Sequence, residues 1–137
     1  MTAARTVLIV DDNEANVALL EYLLDASGYQ VRSTVDAEAA LVSIAQHKPE
    51  LVLTDIQLPG ASGLELTQRL KSDPSTADIR IIAISAFAMP SDEQRALAAG
   101  CDAYVAKPID TRTFPSLVAE IIDQGARSMR SRAPTGK

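Results

Sequence analysis

Thr6-Val7-Leu8-Ile9-Val10-Asp11-Asp12 decides the fold: five β-prone residues with no polar alternation read as a strand buried on both faces, and two carboxylates follow it at once. Three further short apolar runs end on reactive residues. Leu51 to Leu53 leads to Asp55, Ile81 to Ile84 leads to Ser85, and Tyr104-Val105 leads to Lys107. The carboxyl ends of parallel strands lie along one edge of an open α/β sheet, where such folds build their sites. Three carboxylates, a hydroxyl and an ammonium are therefore expected in one pocket.

Between these runs the period changes from strand-like to helical. Glu14 to Ala26 carries apolar residues at Val17, Leu20 and Leu24, and Gly28 closes the pattern. Tyr29 to Thr34 is a weaker strand. Asp36 caps a helix that runs to about Gln46 and stops before Pro49. After the loop Ile56 to Ser62, Gly63 to Lys71 resumes helical spacing and Asp73-Pro74-Ser75 ends it. Ile79 to Ile84 is a β-branched strand, Ser91 caps a helix ending at Gly100, Ala103 to Val105 is a short strand, and Thr111 to Gln124 is a last amphipathic helix. Five βα units in succession imply a five-stranded parallel sheet, flavodoxin-like in order 2-1-3-4-5, with helices on both faces.

The bulk properties fit one domain. The chain has 137 residues, 47% of them hydrophobic and only 4% aromatic, so its core is aliphatic. A formal net charge of -5 argues against a nucleic-acid-coating protein, and the single Cys101 cannot close an internal disulfide. No apolar run approaches the roughly 20 residues that span a bilayer, and the first one is too short for a signal peptide, so a cytoplasmic location without membrane contact is expected. From Gly125 the sequence GARSMRSRAPTGK loses apolar periodicity. Residues 5–124 are therefore read as the domain and 125–137 as a flexible basic tail.

Adjacent acids past a strand suit a hard cation better than a bare phosphate. Mg²⁺ takes a few carboxylates together with waters and phosphate oxygens, and Asp55 would complete a mutually repelling acidic set with Asp11 and Asp12. Asp55 can also act as a nucleophile on phosphorus, giving an acyl phosphate. Lys107 supplies a compact charge and Ser85 a hydroxyl for the phosphate oxygens. Each of these residues has an ordinary reading of its own, as helix-start acid, turn serine or solvated lysine. Together they fit those readings poorly. Pro108 after Lys107 raises the odds of a cis bond there.

LIVDDNEAN, LTDIQLPGASGLEL, IIAISAFAM and YVAKPI, in that order over Arg5 to Gln124, resemble the signature blocks of bacterial two-component receiver domains. The blocks DIQLP and SAFAM most resemble the stand-alone cell-division receivers of the DivK type; receivers of hybrid kinases share similar blocks. The resemblance implies Asp55 as phospho-acceptor, Asp11 and Asp12 as the metal pair, Gln57 as a backbone-carbonyl ligand, and Ser85 and Lys107 as phosphate partners. Ser85 and Tyr104 would be the switch residues. It further implies Mg²⁺ as cofactor, Mg²⁺-dependent self-phosphorylation and slow autodephosphorylation without turnover of another substrate, and a sensor histidine kinase or phosphotransfer protein as donor. A downstream protein would read the surface formed by Ser91 to Ala99, Ala103 to Val105 and Thr111 to Gln124. Phe87 is expected to shield the acyl phosphate.

Other functions are weighed on the same residues. A flavin or dinucleotide binder would need a glycine-rich or hydroxyl-rich phosphate loop where Asp11-Asp12 stands. An aspartyl-phosphate hydrolase would want a second acid where Gln57 is. A phosphorelay shuttle, or a receiver module from a longer hybrid kinase, would use the same five residues. A pure docking module would be expected to lack part of the acidic set, and none is lacking. His47 is read as a helix cap and Cys101 as a small apolar residue. Arg127, Arg130 and Arg132 are read as solvated charges able to touch an acidic partner.

Overall fold

The computed structural model describes residues 5–58, 60, 62–86 and 90–132, the last eight as helix backbone. Strands β1 (Thr6–Val10), β2 (Gln30–Thr34), β3 (Leu51–Asp55), β4 (Arg80–Ser85) and β5 (Ala103–Ala106) alternate with helices α1 (Glu14–Ala26), α2 (Ala37–Gln46), α3 (Gly63–Ser72), α4 (Pro90–Ala99) and α5 (Phe114–Arg132). All strand pairs are parallel and the order is β2-β1-β3-β4-β5, as the sequence predicts. None of the helices among the described residues is long and apolar enough to cross a membrane.

The two-residue period of the strands divides the core into two layers. Leu8, Val10, Val52, Ile81 and Ala83 face α2, α3 and α4, whereas Val7, Ile9, Leu51, Leu53, Ile82 and Ile84 face α1 and α5. Burial of each large aliphatic side chain contributes roughly 1.5–3 kcal/mol before conformational entropy is charged against it. The polar groups of the central strands are thereby displaced to the strand ends.

Local chemistry sets the helix starts. Asn13 Oδ1 accepts from the Asn16 N–H at 3.0 Å, Asp36 Oδ1 from Ala39 at 2.8 Å, and Ser62 with Glu65 forms a reciprocal capping box. Gly28, at φ +93°, follows the end of α1 in the left-handed region that a side chain disfavours. At the end of α2 His47 is the cap, through its backbone N–H, and the side chain that adds a cation there is that of Arg32. Its Nη2 donates to the Ser43 and His47 carbonyls at 3.1 and 2.8 Å, while the His47 N–H caps Ser43.

Two helix boundaries correct the sequence reading, and one segment does so more substantially. Helix α4 begins at Pro90, so Ser91 lies inside the first turn and is not the cap; proline suits the first helical position because no intrahelical acceptor waits for its missing N–H. Helix α5 begins at Phe114, because Asp110 claims the preceding residues in a turn, accepting from Arg112 N at 3.0 Å and Phe114 N at 2.9 Å. Beyond Gln124, α5 continues as helix to Arg132, where a flexible tail was expected to have begun. Apolar periodicity reports burial of a helix, and Ala126, Arg127, Met129 and Arg130 are strong helix formers that need no buried face. Residues 133–137, and with them the end of that tail, lie outside the described residues.

At the edge opposite the strand ends that carry the acids, Asp102 ties three segments together. Its carboxylate accepts from Ile81 N at 2.8 Å, from Arg80 Nη1 at 2.8 Å and from Lys71 Nζ at 3.3 Å. Next to it Cys101 is buried with its sulfur 3.6 Å from Thr67 Oγ1, and burial pushes its thiol pKa up. Asp102→Ala should lower unfolding free energy by about 2–3 kcal/mol, because it strands an amide and two cations. Arg112→Ala, which removes a 3.9 Å pair to Asp110 with the arginine 91% exposed, should change it by less than about 0.5 kcal/mol; urea unfolding monitored by circular dichroism measures both. Gly63 packs so closely under β3 that a Cβ there would fall on the Asp55 carbonyl oxygen and 2.9 Å from Thr54 Oγ1. Gly63→Ala should cost about 1–3 kcal/mol in the same assay by forcing α3 away from the strand.

Candidate functional site

The strand register brings the predicted residues together. Val10 pairs with Thr54, Asp55 with Ile84, and Ser85 with Ala106, so Asp11, Asp55, Ser85 and Lys107 stand side by side at the carboxyl edge of four neighbouring strands. Asp11 and Ser85 are 3% and 2% exposed and Asp55 9%, whereas Asp12 is open to solvent. One oxygen from each of Asp11, Asp12 and Asp55 lies within 4.8 Å of the others. Such crowding of hard oxygen donors raises local negative charge and fits a divalent cation of the Mg²⁺ type.

Lys107 is the counter-charge of this cluster. Its Nζ donates to Asp55 Oδ2 at 3.0 Å and lies 3.7 Å from Asp11 Oδ2, with the lysine side chain 18% exposed. The opposite oxygens are held by backbone amides two residues on: Gln57 N donates to Asp55 Oδ1 at 3.0 Å and Asn13 N to Asp11 Oδ1 at 2.9 Å. Both carboxylates are thus fixed by short Asx-type turns before any ligand arrives. The Gln57 N–H thus orients Asp55, while the Gln57 carbonyl, which the family resemblance implies as a metal ligand, belongs to the next peptide along.

Ser85 and Lys107 are also joined through the backbone, since Lys107 N donates to Ser85 O at 2.8 Å. The Lys107–Pro108 peptide is cis. Tyr104 is partly buried against the apolar layer that includes Leu8 and Ile81, two strand positions from Ala106. Phe87 and Met89 lie outside the described residues.

Sequence reasoning missed the supports of the site. Thr54 Oγ1 donates to the Asp55 carbonyl at 3.1 Å, and Gly63 N donates to Ile56 O at 2.8 Å, so α3 presses directly on the peptide that carries Asp55. The signal was present: a glycine opens a helix eight residues after the acid, where an ordinary first-turn residue would have a side chain. Only the tertiary approach shows what the missing Cβ is for.

A sequence profile of the response regulator receiver domain matches residues 7–119. Polar-differentiation response regulator DivK of Brucella anthropi is 46% identical over 110 residues, covering 80% of this chain and 89% of that one; DivK of Brucella melitensis matches equally. Among solved structures, a putative response regulator of Chloroflexus aurantiacus superposes with TM-score 0.86 at 31% identity, over 88% of this chain and 99% of that one. The receiver domain of a sensor histidine kinase from Pseudomonas aeruginosa, with a magnesium ion coordinated in its active site cleft, superposes with TM-score 0.80 at 28% identity and the same coverage. The matched span runs from β1 into α5 and contains every residue of the acidic edge. The chain belongs to the response regulator receiver domain family of two-component signalling, and within it is similar to the DivK-type single-domain receivers.

Proposed function

We propose that this chain is a phospho-accepting response regulator in which Asp55 takes a phosphoryl group from a phosphohistidine of a sensor histidine kinase or phosphotransfer protein. The observation that carries the reading is the Lys107 ammonium 3.0 Å from Asp55 within a group of three converging carboxylates. An Asp55 carboxylate oxygen attacks phosphorus, the P–N bond to the donor imidazole breaks, and that nitrogen keeps the electron pair and takes a proton from water. The products are an aspartyl acyl phosphate and neutral histidine.

This chain's residues meet the needs of that transfer. The Asp55 oxygens are held from both sides, by Gln57 N and by Lys107, which fixes the angle of approach. Asp11, Asp12, Asp55 and the Gln57 carbonyl would hold Mg²⁺, which when bound neutralises charge on the carboxylates and the incoming phosphoryl oxygens. Lys107 Nζ and the Ser85 hydroxyl can each donate to a phosphoryl oxygen. Apart from this acceptance, no turnover of a further substrate is proposed.

The same bonds carry the signal. Phosphoryl contacts to Ser85 and Lys107 act on two residues already bridged by the 2.8 Å backbone bond, so β4 and β5 move together. Tyr104, on β5, repacks with them. The surface of α4, β5 and α5 is then what a downstream protein reads. A shift from 1:99 to 99:1 requires about 5.5 kcal/mol of differential stabilisation, within reach of two or three charge-assisted bonds.

Incubation with acetyl phosphate and Mg²⁺ should add one phosphoryl group to the intact mass, and chelation of the metal should abolish the gain. Asp55→Asn should show none under any condition. Lys107→Ala should retain the fold and lose most of the gain. An unchanged mass for the wild type with both acetyl phosphate and a phosphohistidine donor would overturn the proposal. Ser85→Ala should still accept phosphate but show a smaller change in hydrogen exchange over α4 and β5 than the wild type.

A further inference from the structure

A groove of about 610 Å³ lies at the end of the molecule away from Asp55, between the end of α1 and the exposed side of α5. Ser27, Gly28 and Tyr29 form one wall, and Ala119, Glu120 and Asp123 the other. Arg5, the cation in its lining, is engaged with Glu50 at 3.8 Å. Glu120 is exposed and, among the described residues, has no ion-pair partner; Asp123 already has one interaction within its own chain. The groove therefore offers fixed negative charge beside an aromatic ring and an alanine.

Charge along the chain is strongly divided. All eighteen acidic residues precede position 124, whereas Arg127, Arg130, Arg132 and Lys137, four of the thirteen basic ones, follow it. The body up to Gln124 thus holds eighteen acidic against nine basic residues, and the helical extension of α5 holds only basic ones. Because α5 is continuous to Arg132, this extension runs on beyond the body and cannot turn back onto the groove of its own chain.

Positions 120, 123, 127 and 130 recur at spacings of three, four and three, so they share one stripe of α5, opposite the stripe of Phe114, Val118, Ile121 and Ile122 that enters the core. The order along it is acid, acid, base, base. In two antiparallel copies of this helix related by a two-fold axis at position 125, residues equidistant from that position face each other. Position 120 then meets 130 and position 123 meets 127, in both directions at once.

We infer that the α5 extension of a second copy of this chain docks antiparallel in the groove beside Glu120, making a reciprocal, salt-sensitive dimer. The interface is isologous, so it closes at two copies and does not propagate. An ion pair within one helix, such as 123 with 127, uses the same sequence but predicts no association.

Sedimentation equilibrium of the full chain tests the inference. At about 0.01 M salt the weight-average mass should rise with concentration from 14.6 kDa towards twice that value, and at about 1 M salt it should return to the monomer. Glu120→Lys and Arg130→Glu should each weaken self-association by about tenfold or more. An equimolar mixture of the two variants should regain it, because Lys at 120 then meets Glu at 130 and the unchanged Glu120 meets Arg130. Far-ultraviolet circular dichroism and acetyl phosphate labelling check that both variants are folded, since neither position touches the Asp55 site. A wild type that stays monomeric at low salt, or a mixture that associates no better than its parts, would overturn the inference.

Discussion

Parallel direction is the constraint on which this molecule depends. Five strands that all run the same way end at one edge, and each central strand is covered on both faces, so a polar side chain along its length must bond within the fold, as Thr54 does to the Asp55 carbonyl. Asp11, Asp55, Ser85 and Lys107 occur at the first positions where the apolar layers stop. Their convergence is a consequence of register, and no loop has to fold specially to gather them. Loops contribute only the last adjustment, through the Asn13 and Gln57 amides that fix which oxygen of each aspartate points inward.

Concentrating carboxylates in this way is unfavourable for the isolated fold and useful for a site. Asp11 and Asp55 are nearly buried, and one lysine at 3.0 and 3.7 Å is the cation given to both. The arrangement holds more negative charge than Lys107 can offset, which is why it fits a divalent cation and an electrophilic phosphoryl group together. Rigidity comes from underneath: Gly63 lets α3 approach until its N–H reaches the Ile56 carbonyl, so the peptide after Asp55 is clamped between helix and strand. Strength at the supports and electrostatic tension at the tip are separate properties, carried by different residues.

Most of the fold was legible in the sequence because burial writes itself as periodicity. Val7 to Val10 and Ile81 to Ile84 could be read as two-sided strands, and Asp36 announces its helix by chemistry that is local. The convergence of Asp11, Asp12, Asp55, Ser85 and Lys107 on one edge was legible for the same reason, since each stands within two residues of the end of such a run. What could not be read depends on tertiary approach. Gly63 looks like an ordinary first residue of a helix until Asp55 is seen above it, and Asp102 looks like a surface acid until Arg80, Lys71 and the Ile81 amide are seen around it. Arg32 joins His47, the cap of α2, at that helix end because an edge strand, eleven residues before Ser43, lies beside it. The end of α5 was misplaced because a helix that leaves the body loses its apolar stripe without losing its hydrogen bonds.

Gln124 divides α5 into two unlike halves. Up to Gln124 its inner stripe, Phe114, Val118, Ile121 and Ile122, is held by the sheet, and Arg80 Nη2 reaches the Gln124 carbonyl at 3.5 Å where the helix departs. Beyond that point stability must come from helix propensity and from whatever the extension touches. The helix therefore has a packed half next to the surface that would read phosphorylation and a second half whose sequence charge is opposite to that of the body. A partner binding the packed half and a copy binding the outer half would act on one continuous helix. By thermodynamic reciprocity, any preference of one for a particular seating of α5 must appear as an equal change in the affinity of the other.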